Sequence, residues 1–267
     1  MKLTFLGTGT SYGVPYIGCD CPVCRSKDPR NKRLRCSILV EAGPLEGENH
    51  PTPRTRLLVD TTPDLRQQLL RANVANLTAV LWTHAHNDHI IGLDDIRPLC
   101  DRTGYIDGYG SADTLAHLKK VFEYIFEQGR DHGGFPRMTE HPIAPRQTLP
   151  LGDIHAKPIP ILHGRREIFA YKFMSGGRTL VYATDCSAIP DASWSLMQNA
   201  DVLVLDALRR KEHPTHFSVD QAVHAVSRLR PGRAFFTHIA HDLDHVATNA
   251  GLPEGVELAY DGLSIEV

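Results

Sequence analysis

One stretch constrains this chain more than any other: the apolar pair Leu81-Trp82 leads straight into Thr83-His84-Ala85-His86-Asn87-Asp88-His89. Three histidines and an aspartate directly after a buried-type strand are a costly use of polar side chains unless a metal ion compensates their burial. His84 and His86 are two apart, so in extended backbone both point to one side, while Asp88 and His89 follow where the chain turns into a helix. One dense loop of this kind can serve two adjacent metals.

Other apolar runs end in the same way: Ile161-Leu162-His163, Tyr182-Ala183-Thr184-Asp185 and Phe235-Phe236-Thr237-His238. With 15 histidines in the chain, any one of them is by default a surface or hydrogen-bonded residue. Recurrence at strand ends is what sets these apart, because α/β folds gather ligands at the carboxyl ends of their strands.

Short apolar runs at Leu3–Leu6, Ser37–Val40, Leu57–Val59, Ala79–Trp82, Ile159–Leu162, Leu180–Ala183, Val202–Leu205 and Ala234–Phe236 predict a layered α/β architecture. Thr62-Pro63 predicts a first helical turn. Ser218-x-x-Gln221 predicts a capping box opening a helix over Val219–Leu229, stopped by Pro231-Gly232. The polar stretch Gly43–Arg54 reads as a hairpin excursion, and Gln128–Gln147, rich in glycine and proline, as a long loop. At 267 residues and 42% hydrophobic composition the chain can bury a sizeable core, and no boundary divides it, so a single domain over 1–267 is expected.

A net charge of −2 leaves no strong basic field to grip a long nucleic acid, although a small phosphorylated substrate is not disfavoured. No apolar run approaches the roughly 18 residues that a membrane span needs, and the opening Met1–Gly7 reads as a first strand rather than a signal peptide. The expectation is a cytoplasmic protein with no membrane partner. Of six cysteines, Cys19, Cys21 and Cys24 crowd together too closely to pair with one another. Three clustered thiolates want a fourth ligand to complete a tetrahedron, for which Cys36 or His245 could serve. Cys100 and Cys186 read as ordinary buried residues, and Cys36 is open to the same reading.

The pattern His84-x-His86-x-Asp88-His89, with later His163, Asp185 and His238, resembles the metallo-β-lactamase superfamily over nearly the whole chain. Gly7-Thr8-Gly9-Thr10-Ser11-x-Gly13-x-Pro15, Cys19-x-Cys21-x-x-Cys24 and Thr237-His238-Ile239-Ala240-His241 resemble its PhnP-type branch, the cyclic phosphodiesterases of phosphonate degradation. The resemblance implies a four-layer αβ/βα sandwich with a dinuclear site between two sheets. By it, His84, His86 and His163 bind one metal, Asp88, His89 and His238 the other, and Asp185 bridges them. It also implies a separate structural zinc on Cys19, Cys21, Cys24 and His241, and homodimers are common among such relatives. Nitrogen and oxygen ligands suit two catalytic ions of Zn, Mn or Fe.

Two metals sharing Asp185 would acidify water for attack on an electrophile, and a phosphodiester suits the clamp. The leaving oxygen then needs a proton, for which the resemblance offers His216. Asp60, at the end of Leu57-Leu58-Val59, is similar to the family's aspartate that fixes a ligand histidine, and Asp206 could orient His216. Three rivals share parts of this pattern. A tRNA 3′-end processing nuclease would add a long flexible arm and more positive charge, a PqqB-type accessory protein would lack the complete metal run, and a lactone, β-lactam or thioester hydrolase would carry the same site.

Overall fold

The structure is a computed structural model that describes residues 1–44, 54–126 and 134–267. Two seven-stranded sheets carry the fold. From edge to edge the first runs β14 (Ser264–Glu266), β1 (Lys2–Gly7), β2 (Ser37–Ala42), β3 (Thr55–Val59), β4 (Ala79–Leu81), β5 (Ile106–Gly110) and β6 (Met138–Pro142). The second runs β13 (Val256–Leu258), β12 (Arg233–Thr237), β11 (Val202–Asp206), β10 (Arg178–Ala183), β9 (Arg166–Ser175), β8 (Ile154–His163) and β7 (Leu149–Leu151). All eight apolar runs read from the sequence are strands.

Alternation along the strands builds the layers. Leu57 and Val59 face the space between the sheets, together with Phe5, Tyr171, Tyr182, Val204 and Phe235, while Leu58 faces outward with Val80 and Trp82. Side chains two apart share a face, so one strand feeds two cores. The outward face of the first sheet is covered by helices Leu65–Arg71, Arg97–Thr103 and Ala112–Val121 through Leu69, Leu99 and Leu118. That of the second is covered by helices Asp191–Met197 and Val219–Leu229. In the last of these Val219, Ala222, Ala225 and Leu229 are buried, the spacing of one helical face. The result is helix, sheet, sheet, helix: the four-layer sandwich.

The Ser218 hydroxyl accepts from Gln221 N while the Gln221 side chain accepts from Ser218 N, so the capping box is formed. The helix expected at Thr62-Pro63 starts at Leu65 instead; Thr62 Oγ1 accepts from Asp64 N at 3.1 Å and shapes the turn before it. The long loop expected over Gln128–Gln147 contains β6, because the exposed side of β5 offers backbone groups that 138–142 pair with in parallel. Residues 45–53 and 127–133, including His132, lie outside the described residues. Arg137 is described, and it donates to Cys100 O and neighbours Asp101.

Both sheets change character partway across. β1, β2 and β3 pair antiparallel, and β3 to β6 parallel. Likewise β7 to β10 pair antiparallel, and β10 to β13 parallel. Each half therefore presents a row of parallel strand ends, the place where an α/β sheet offers its loops to a ligand.

Candidate metal centre

Six strand ends converge. Asp60 follows β3, Thr83 and His84 follow β4, His163 closes β8, Asp185 follows β10, Asp206 closes β11, and His238 follows β12. His86 precedes, and Asp88 and His89 lie on, the short helix Asn87–Ile90. The ligand atoms of His84, His86 and His163 lie within 4.8 Å of one another, as do those of Asp88, His89, Asp185 and His238. Asp185 links the two groups: its oxygens are 3.3 Å from His89 Nε2, 3.4 Å from His238 Nε2 and 3.9 Å from His84 Nε2.

The donor set fits a pair of divalent ions. Nε2 of His84, of His89 and of His238 is buried and, among the described residues, has no hydrogen-bond partner. Buried nitrogens left unpaired around one carboxylate are what metal ions would satisfy. Charge agrees. Burial alone would push the Asp185 carboxyl up, yet His238, His89 and His84 hold it well below the usual carboxylate range. Burial likewise opposes a charged His89, but Asp185, Asp88 and Asp60 draw its imidazolium well above the ordinary value.

The ligands are held from behind. Asp60 Oδ2 accepts from His89 Nδ1 at 2.8 Å, which points Nε2 inward, and both side chains are fully buried. Asp60 is itself fixed by Thr83, whose N–H and hydroxyl donate to it at 2.8 and 2.9 Å. Thr83 Oγ1 also contacts His84 Nδ1 at 3.0 Å, and His163 Nδ1 donates to Thr215 O at 2.8 Å. Asp206 Oδ2 lies 2.7 Å from His216 Nδ1, and the His216 ring stacks on His238 with centroids 4.6 Å apart. Burial pushes the Asp206 carboxyl well up and the His216 imidazolium down.

Backbone strain sits on the same residues. Asp60, Asp185 and His238 have φ of 66°, 55° and 59°, the left-handed region that side chains with a Cβ avoid. Each directly follows or nearly follows a parallel strand, and the reversal turns its side chain into the cluster. Gly92 serves the same end: its N–H donates to Thr61 O at 3.0 Å, and a Cβ there would sit 1.9 Å from Thr62 O. Only glycine lets the His86–Gly92 turn lie against the end of β3.

Sequence reasoning passed over the threonines. A Thr precedes Asp185 and donates to its Oδ1 at 2.7 Å, as Thr83 precedes His84 and Thr215 precedes His216. Thr237, before His238, contacts Cys36 Sγ at 2.9 Å. The repeated Thr-His or Thr-Asp pair at strand ends was the available signal.

A second cluster stands apart. Cys19, Cys21 and Cys24 Sγ lie 3.2, 3.6 and 3.6 Å from His241 Nδ1. Neighbouring ligand atoms on a tetrahedral zinc, with Zn–S near 2.3 Å and Zn–N near 2.0 Å, are about 3.5 Å apart, so the four residues fit one ion. Cys36 is buried against Thr237 and Tyr182 instead, and His245 sits beside Asn249 and Tyr260, so neither joins the thiols. Tyr16 stacks on the His241 ring at 3.9 Å. Burial raises the Cys24 thiol to about 11, while the Cys24 N–H lowers that of Cys21. No helix among the described residues is long and apolar enough to cross a membrane.

Comparison with known proteins agrees with this fold. Residues 55–239 match the model of the β-lactamase superfamily domain. A solved structure described as a new diphosphatase from the PhnP family is 42% identical, with a TM-score of 0.87 over 100% of this chain and 97% of that one. An octanoyltransferase of Porphyromonas gingivalis is 33% identical over 98% of this chain, but the chain spans only 51% of its length. Zinc-bound PqqB from Methylobacterium extorquens shares the fold at 20% identity and a TM-score of 0.79, over the full length of both chains.

Proposed function

Because this chain belongs to the β-lactamase superfamily, in its PhnP-type branch, we propose that it is a metal-dependent hydrolase of small phosphodiesters. The observation that carries the reading is Asp185, whose carboxylate faces both donor groups at 3.3 to 3.9 Å. A pair of divalent ions bound there supplies Lewis acidity and a lowered water pKa at neutral pH. His84, His86 and His163 would hold one ion and Asp88, His89 and His238 the other, with Asp185 within reach of both groups. Asp60 keeps His89 in the tautomer that presents Nε2.

His216 supplies the proton. Its Nδ1 is engaged by Asp206, so Nε2 is the nitrogen left to face the leaving oxygen, and it donates from the doubly protonated ring, whose charge Asp206 and the anionic phosphate oxygens would support against burial. Stacking against His238 fixes the ring beside the second donor group. The thiol cluster with His241 holds a zinc of structural role.

A second reading, hydrolysis of a phosphoanhydride, is favoured by the 42% identity to the PhnP-family diphosphatase. Both readings share attack at a phosphorus whose anionic oxygens are offset by the site. The test is metal analysis of the purified protein together with hydrolysis of bis(p-nitrophenyl) phosphate, before and after chelation and re-addition of Mn or Zn. The reading expects two chelator-sensitive ions and one retained zinc, with turnover that follows the first two. Metal-loaded protein without turnover on the diester or on a dinucleoside diphosphate overturns it and directs attention to lactones and thioesters.

A further inference from the structure

We propose that Arg166 determines specificity by binding an anionic oxygen on the part of the substrate that is not cleaved. The proposal rests on the phosphate-ester reading. Arg166 opens β9 directly opposite His163 in the antiparallel pair with β8. Residues directly opposite in such a pair project from the same face of the sheet, so the guanidinium stands on the side from which His163 enters the donor cluster. A separate distance agrees: Arg166 Nη1 lies 3.4 Å from His86 Nε2.

The charge is unspent. Arg35, Arg54 and Arg178 each lie within ion-pair distance of a carboxylate, whereas Arg166 is exposed and, among the described residues, has none. A guanidinium offers a planar fork that matches two oxygens of a phosphoryl group. Beside it opens a cavity of about 440 Å³ that starts at His84 and is lined by Ser111, His117, Arg166 and Ile168. Asp113 and Glu167 also line it, so an anion is repelled from the rest of the cavity and held at Arg166. The ligand that fits has a second phosphoryl oxygen next to the reacting phosphorus and an uncharged polar group beyond it, as in a nucleoside diphosphate ester.

The experiment compares Mn-loaded wild type, Arg166→Ala and Arg166→Lys on diadenosine diphosphate and bis(p-nitrophenyl) phosphate, and measures AMP binding by calorimetry as a readout without turnover. The discrimination between the two substrates and the affinity for AMP should each fall by about 10- to 100-fold in Arg166→Ala, as for loss of a charge-assisted hydrogen bond. The loss should appear mainly in KM, with unchanged metal content, and lysine should restore part of it. Equal losses on both substrates, unchanged AMP affinity, or a loss of metal overturns the assignment. Wild type that turns over neither substrate defeats the phosphate-ester reading by itself; AMP affinity equal in wild type and Arg166→Ala, or absent from both, then defeats this proposal as well.

Discussion

The two donor clusters are built on opposite principles. The thiol cluster takes three of its four residues from Cys19–Cys24, and its own apolar support among the described residues is small, with Val14, Val23 and Cys24 buried and Tyr16 partly so. Its only regular element is the four-residue helix Pro22–Arg25, too short to be stable alone. The histidine and aspartate cluster draws on strand ends of both sheets and is braced by Asp60, Thr83 and Asp206. One site is a short loop with little packing of its own. The other is a scaffold held in place by cores on either side.

This contrast can be broken experimentally. The largest effect is expected from Asp185→Ala: a fall of about three orders of magnitude in kcat/KM, with lost active-site metal but retained thiol-bound zinc by elemental analysis. Normal turnover would remove Asp185 from its shared position, and loss of all the metal would merge the two sites. Next comes Cys21→Ser, which should cost one zinc and roughly 3 kcal/mol, or about 6–12 °C in Tm for a chain of this size. A variant as stable as the parent, seen by calorimetry, would make the thiol loop self-supporting.

Asp60→Asn probes the bracing. It should weaken active-site metal binding by about 10- to 100-fold, read by competition with a chelator, because His89 loses the partner that sets its tautomer. Unchanged affinity would mean that the buried sheets alone orient the ligands. The smallest effect is expected from Asp206→Asn, a drop of about tenfold in kcat with KM and metal content unchanged. Should metal content fall too, His216 and Asp206 belong to the ligand scaffold rather than to proton transfer.

The same contrast explains what could be read before folding. The dense runs were legible because a strand followed by closely spaced donors is a local pattern, and the eight apolar runs were legible for the same reason. β5 was not, since Ile106–Gly110 carries two glycines, and β6 depends on pairing with β5 rather than on its own residues. At the site, Asp60 and Asp206 stood out by position, and His216 could be named for Asp206, but other partners are long-range facts: His89 is 29 residues from Asp60, and the Thr215 carbonyl is 52 from His163. The left-handed backbone of Asp60, Asp185 and His238 leaves no compositional trace, because none of them is glycine. For the thiol cluster, the three cysteines were apparent from spacing, which left Cys36 and His245 equally open as the fourth partner; only the family resemblance pointed to His241, the residue that the structure places beside the thiols.

Cys19 and His241 are 222 residues apart. At about 5–20 residues per second, a growing chain would carry its three thiols for on the order of tens of seconds before the histidine is synthesised. Until then an ion held by the three thiols would have an open position, free to exchange with its surroundings, and the thiols would be open to oxidation. Closing it waits on the same few residues that bring His238 into place. If the cluster takes zinc as proposed, zinc scarcity or oxidant during translation would be recorded as a loosened His241.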